Sequence, residues 1–149
     1  MTIRDRIVVG VDGTEAARHA LRWAVAEGLR TGVPVEAVTA WTWDGVPPTG
    51  AGPGVERELA RLLCRHEVAQ VDAAGTAMSV VAGDPVTVLL AAARRARLLV
   101  LGSHGHGRLR RALLGSTSGR CVRRAGCPVV VVPPPRHTID SGRSVTRRY

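Results

Sequence analysis

Residues 98–124 read LLVLGSHGHGRLRRALLGSTSGRCVRR, and the way this stretch must be built decides the fold. Leu98, Leu99, Val100 and Leu101 form a short apolar run bounded by glycine, the pattern of a strand buried on both faces of a parallel sheet. Gly102-Ser103-His104-Gly105 follows that strand, and after nine more residues comes Gly115-Ser116-Thr117-Ser118. Ser116 to Arg124 can open a helix, with Ser116 or Ser118 as its N-cap. A helix N-terminus offers free N–H groups and a partial positive charge, which suits a phosphate. Gly102 and Gly105 can take positive φ and admit a ligand to the main chain, while Ser116, Thr117 and Ser118 add hydroxyl donors. The same residues also suit a glycine-rich surface loop with a capped helix.

Working outward, the rest of the chain alternates strands and helices. Ile7 to Val11 reads as a first strand ending at Asp12-Gly13-Thr14, where Thr14 or Asp12 caps the next helix. Ala17, Ala20, Leu21, Ala24, Val25 and Leu29 form that helix's buried face, with His19 and Arg22 toward solvent. Gly32 and Pro34 close it, and Val33 to Trp41 is a second strand. The proline- and glycine-rich residues 44–54 predict a loop. A second helix runs from about Val55 to Ala74, with Leu59, Leu62, Leu63, His66 and Ala69 on its inner face. Met78 to Ala82 is a third strand, and Gly83-Asp84-Pro85 starts a third helix. Cys127 to Val132 is a fifth strand, stopped by Pro133-Pro134-Pro135. The order β, α, β, α, β, α, β, α, β without internal repeat implies an open five-stranded parallel sheet with helices on both faces, a Rossmann-like α/β fold. Ligands of such sheets bind beyond the carboxyl ends of the strands, where Asp12 and Gly102 fall. The domain is expected over residues 1–135, followed by a disordered basic tail over 136–149.

Composition narrows the class. At 149 residues and 45% hydrophobic residues, the chain can build one domain with a real core. No apolar run reaches the ~18 residues of a membrane span, and the start lacks the apolar centre of a signal peptide, so a cytoplasmic protein without membrane contact is expected. Cys64, Cys121 and Cys127 are odd in number and lack paired metal spacing, which predicts free thiols. All 21 basic residues are arginine, and they are unevenly placed. Residues 1–93 hold 8 Arg against 11 Asp and Glu, a net of −3, whereas residues 94–149 hold 13 Arg against Asp140 alone, a net of +12. That imbalance suits a polyanion partner, and it equally suits a solvated basic face.

These residues resemble the nucleotide-binding branch of the universal stress protein family, whose loop follows G-x2-G-x9-G-[ST]. Gly102, Gly105, Gly115 and Ser116 match that spacing. The likeness covers about residues 3–133 and includes the opening Val-Gly-Val-Asp-Gly, the strand Val38-Thr39-Ala40-Trp41, the turn Gly83-Asp84-Pro85 and the closing Cys-Pro-Val-Val-Val-Val. The resemblance implies an adenine nucleotide alpha hydrolase-like fold that binds ATP with Mg²⁺. It places Asp12 beside the ribose or a phosphate-bound Mg²⁺, Val38 against the adenine and Gly102 near the ribose. Gly105, Gly115, Ser116, Thr117 and Ser118 would hold the phosphates. It also points to a homodimer through the Val129 to Val132 strand, an apolar edge that would otherwise expose four valines. Arg97 departs from the pattern, since family members often carry an acidic residue there. His104 and His106 could bind a metal, titrate against a phosphate, or serve only as polar loop residues.

Three functions compete. The first, implied by the resemblance, is a stress-response signalling module in which nucleotide occupancy changes the access of a protein partner. The second is a slow ATPase or a nucleotidyl or phosphoryl transferase using the same cradle, for which only Asp12, His104 and His106 offer acid or base groups. The third is nucleic-acid binding by the arginine-rich half. Trp23, Trp41, Trp43 and Tyr149 are the only aromatic residues, and none lies within the arginine clusters of the expected domain, which points away from nucleic acid.

Overall fold

The structure is a computed structural model that describes residues 5–43, 52–104 and 114–136. The expectations for Gly105, His106, the basic tail beyond residue 136 and most of the 44–54 loop lie outside these residues. The elements run β1 (Arg6–Gly10), α1 (Glu15–Thr31), β2 (Val35–Trp41), α2 (Pro53–Gln70), β3 (Ala77–Ala82), α3 (Pro85–Ala93), β4 (Ala96–Gly102), α4 (Ser116–Arg124) and β5 (Val129–Val132). All strands pair in parallel, in the order β3-β2-β1-β4-β5. The sheet is thus the open, doubly covered one that the strand pattern predicts. Its order reverses at β1, which has β2 on one side and β4 on the other. That switch point opens a crevice at the carboxyl ends of β1 and β4.

Two apolar layers hold the sheet. Ile7, Val9, Leu21, Ala24, Ala37 and Val100 are buried on the α1 and α2 side, and Val8, Val38, Val86, Leu89, Leu99 and Leu101 on the α3 and α4 side. Alternate residues of each central strand face opposite layers, so the middle of these strands is mostly apolar on both faces. Local chemistry sets the helix ends. Thr14 caps α1, its hydroxyl accepting from the Ala17 N–H at 3.2 Å, and Gly32 closes α1 in the left-handed region at φ 69°. Asp84 caps α3 through the Val86 and Thr87 N–H groups, with Pro85 in the first turn.

Several boundaries and faces differ from expectation. β2 begins at Val35 and β5 at Val129, because Val33 and Pro34 still belong to the turn after α1 and Pro128 lends only its carbonyl to Leu99. Pro53 and Gly54 are the first residues of α2, where a proline loses nothing because the first N–H groups of a helix have no intrahelical acceptor. The larger correction is the face of α2. Its fully buried residues are Cys64 and Glu67, whereas Leu59 and Leu62 are about half exposed and His66 is exposed. Glu67 draws that face inward by pairing with Arg18 of α1, at 2.8 and 2.9 Å. Leu29 is 82% exposed rather than buried. His19 is only partly in solvent, and its Nδ1 donates to the Pro133 carbonyl at 2.8 Å, tying α1 to the end of β5. Cys64, Cys121 and Cys127 form no disulfide, and burial pushes the first two up from the usual thiol range.

Candidate functional site

A cavity of about 560 Å³ occupies the switch-point crevice. That size falls within the range of small-molecule sites. Its walls are the exits of β1, β2 and β4, the start of α4 and one flank of α2. Of the residues named from the sequence, Asp12, Val38, Gly102, Gly115, Ser116, Thr117 and Ser118 all line it.

The β1 exit is built around Asp12. Its Oδ1 accepts from the Thr14 N–H at 3.0 Å and from the Thr14 hydroxyl at 2.6 Å, which fixes the carboxylate at the mouth of the crevice. Gly13 between them sits at φ 82°, a conformation that side chains disfavour, and a β-carbon there would lie 2.9 Å from Leu63 Cδ1 of α2. The neighbouring exit is held in register by Val11, whose N–H donates to the Val38 carbonyl and whose carbonyl accepts from the Thr39 hydroxyl, both at 2.9 Å. Val38 is buried, so it offers the cavity a packed apolar wall.

The β4 exit differs from expectation in two respects. Gly102 does not take positive φ. A β-carbon there would instead strike the backbone of Ala16 and Ala17 at 2.7 and 2.8 Å, so the missing side chain lets β4 run against the first turn of α1. Gly115, not Ser116 or Ser118, is the N-cap of α4. Its N–H donates to the Ser103 carbonyl at 2.7 Å, and a β-carbon would approach that carbonyl oxygen at 3.1 Å and His104 Cα at 3.3 Å. Ser118 lies on the cavity wall with its hydroxyl turned inward, donating to the Ser103 and Gly115 carbonyls at 3.0 and 3.2 Å. It therefore clamps the loop ends together.

Having no side chain at its cap, α4 presents the N–H groups of its first turn to the cavity without the side-chain acceptors that Thr14 and Asp84 supply to α1 and α3. Ser116 and Thr117 add hydroxyls on the same wall. His104 completes this end: its Nδ1 and Ser103 Oγ share a hydrogen bond at 2.8 Å, while its buried Nε2 has no partner among the described residues. These features make a donor-rich end suited to an anion, facing a carboxylate across the crevice. No cluster of three or more potential metal ligands occurs among the described residues. A cation held here would need oxygens from its own ligand.

Sequence reasoning missed the opposite wall. Trp41 of β2, Leu89 of α3 and Glu56, Leu59, Ala60 and Leu63 of α2 supply this part of the lining. Trp41 was detectable, since it ends β2 at the carboxyl edge of the sheet. The α2 residues were not, because nothing local to that helix tells which of its sides meets the crevice.

The fold and crevice together define a doubly wound parallel α/β protein with a donor-lined cavity at its switch point. Within that class the chain belongs to the universal stress protein family, whose family model matches residues 4–133. It is 32% identical over 150 residues to universal stress protein Rv2005c of Mycobacterium tuberculosis, covering 88% of this chain and 51% of that protein. It is 35% identical over 134 residues to Rv3134c of the same organism, covering 86% and 48%. The chain thus spans about half the length of these curated relatives. Among solved structures, UspA from Lactobacillus plantarum superposes with a TM-score of 0.66 at 25% identity, covering 89% of this chain and 99% of that one. A universal stress protein in complex with cAMP also gives 0.66, at 21% identity, with coverage of 88% and 98%. One from Archaeoglobus fulgidus in complex with dAMP gives 0.54 at 22% identity, with coverage of 87% and 98%.

Proposed function

We propose that this universal stress protein binds an adenine nucleotide, ATP with Mg²⁺, in the switch-point crevice, and acts as a nucleotide-dependent binding module in stress signalling. The observation that carries the reading is the glycine-capped N-terminus of α4, which opens onto a cavity large enough for a nucleotide. The buried Nε2 of His104 without a partner supports it, because such an atom gains stability when a ligand supplies the missing bond. The cAMP and dAMP complexes of similar folds add support for the adenine class. In this reading the phosphates lie against Gly105, Gly115, Ser116 and Thr117, the ribose between Asp12 and Gly102, and the adenine against Val38. Mg²⁺ fits the donor set as an ion arriving with phosphate oxygens and touching one carboxylate, Asp12. It would neutralise phosphate charge.

The same reading includes a cytoplasmic homodimer in which two β5 strands meet, since among the described residues β5 pairs with β4 alone and leaves one edge of the sheet open. Turnover of ATP is expected to be slow. The chain has no lysine to bridge the β- and γ-phosphates, and arginine alone does not orient an attacking water.

Heat-denaturing the purified protein and identifying released nucleotide by mass spectrometry tests the binding directly. Calorimetry with ATP and Mg²⁺ extends the test. Ser116→Ala should weaken binding roughly ten- to a hundredfold, as expected for loss of one bond to a charged group. Absence of released nucleotide, together with no heat of binding at millimolar ATP, would overturn the reading.

A further inference from the structure

We propose that His104 recognises a phosphate of the bound nucleotide through a proton on Nε2, and that Ser103 is the positioning residue that keeps the proton there. The assignment rests on the nucleotide reading above. A neutral imidazole has one N–H and one bare nitrogen, and the partner of one nitrogen decides the state of the other. Nδ1 of His104 lies 2.8 Å from Ser103 Oγ, and Ser103 is 8% exposed with no second hydroxyl partner among the described residues. If Nδ1 carried the proton and donated to Oγ, two buried groups would be left unmet, the hydroxyl proton and the bare Nε2. If the hydroxyl donates to Nδ1, only the N–H on Nε2 is unmet. Unmet buried polar groups destabilise a fold, so the second arrangement is favoured. The buried orphan is therefore a donor, and what it lacks is an acceptor.

Ser103 is itself tied to its surroundings through the main chain. Its N–H donates to the Val132 carbonyl at 2.9 Å, and its carbonyl accepts from the Gly115 N–H at 2.7 Å and from the Ser118 hydroxyl at 3.0 Å. These bonds fix the residue between β5 and the start of α4, so its hydroxyl is aimed by rigid elements. They also set His104 beside the cap of α4, where a β-carbon on Gly115 would come within 3.3 Å of His104 Cα. His104 and the first turn of α4 thus share one end of the cavity.

The acceptor that fits this end is a phosphate rather than a ribose or a base. A sugar hydroxyl donates as well as accepts, and the carboxylate of Asp12 stands at the other strand exit. A phosphate only accepts, and its several oxygens can meet Nε2–H and the N–H groups of α4 together. The chain has little of its own to compete. Outside the described residues its only side-chain carboxylates are Asp44 and Asp140, and residues 105–113, which follow His104 directly, have none.

Nitrogen-15 NMR of the full chain with labelled histidine, at pH ~8.5 and so above the ordinary titration range of imidazole, reads the tautomer. The signal missing from His104→Gln identifies His104. In the ligand-free wild type the ring is expected to carry its proton on Nε2, and in Ser103→Ala to populate both tautomers. ATP with Mg²⁺ should move the wild-type Nε2–H resonance. By calorimetry His104→Ala should weaken ATP binding roughly ten- to a hundredfold. His104→Gln, whose amide nitrogen reaches about as far as Nε2, should restore most of the affinity, and His104→Asn, whose amide falls short, should not. A purely structural role would not separate Gln from Asn. A proton on Nδ1 in the wild type, an Nε2–H resonance unmoved by bound ATP, or equal affinities of the Gln and Asn proteins would overturn the proposal and leave the nucleotide reading standing. Failure of the wild type to bind ATP would overturn both.

Discussion

A β-carbon on Gly102 would lie 2.7 Å from the carbonyl carbon of Ala16, closer than packed atoms allow. This contact joins the last residue of β4 to the first turn of α1 and sets the depth of the crevice. Neither partner can yield, because both are backbone held in regular structure. Gly102→Ala should therefore destabilise the domain by about 1–3 kcal/mol, the usual range for overpacking. Urea denaturation followed by circular dichroism measures it, and a stability equal to wild type would show that α1 can shift.

The ion pair beneath α2 should respond asymmetrically. Glu67 is 3% exposed, whereas the Arg18 side chain is about one-third exposed, so loss of the arginine orphans a buried carboxylate and loss of the carboxylate frees an arginine that reaches water. Arg18→Met should cost about 3 kcal/mol, the lower end for orphaning a buried charge, since the gap admits water. Glu67→Gln should cost less. Equal losses in paired denaturation curves would contradict the assignment.

Acid should weaken the start of α3. Hydrogen bonds from the Thr87 hydroxyl and from the Thr87 and Val86 N–H groups hold the Asp84 carboxyl below its ordinary value. A carboxyl lowered in the folded state contributes stability that is present above its unfolded pKa, and that stability is lost as pH falls through the folded one. Asp84→Asn should remove this part of the acid dependence and leave the rest. Denaturation midpoints across acidic pH compare the two proteins.

The proposed β5 dimer calls for a substitution outside the core. Val130 packs on the α1-side layer and Val132 is buried, so the strand exposes its backbone edge more than its four valines. Val131, half-buried, is the better probe. Val131→Asp should give a monomer in light scattering with circular dichroism unchanged, and an undisturbed dimer would refute this interface.

The strand runs, the Asp12-Gly13-Thr14 turn, the Asp84-Pro85 start and the spacing of Gly102 to Ser116 are local signals, and each was legible because backbone geometry and capping act over a few residues. From them alone the parallel sheet and the crevice at the ends of β1 and β4 follow. Tertiary packing decided the rest. The periodicity of α2 allowed an inner face through Leu59 and Leu62, but the bond between Glu67 and Arg18, 49 residues apart, turned Cys64 and Glu67 inward. Gly102 invites a reading as a positive-φ glycine and Gly115 as a phosphate contact, but only the folded chain shows the backbone of Ala16 and of Ser103 lying against them. The Ser118 hydroxyl suits a ligand by its place in the sequence, and only the approach of the Ser103 carbonyl shows where it points. Which side of a helix turns inward, and why a glycine is required, depend on atoms distant in sequence, and such contacts exist only once the chain has folded.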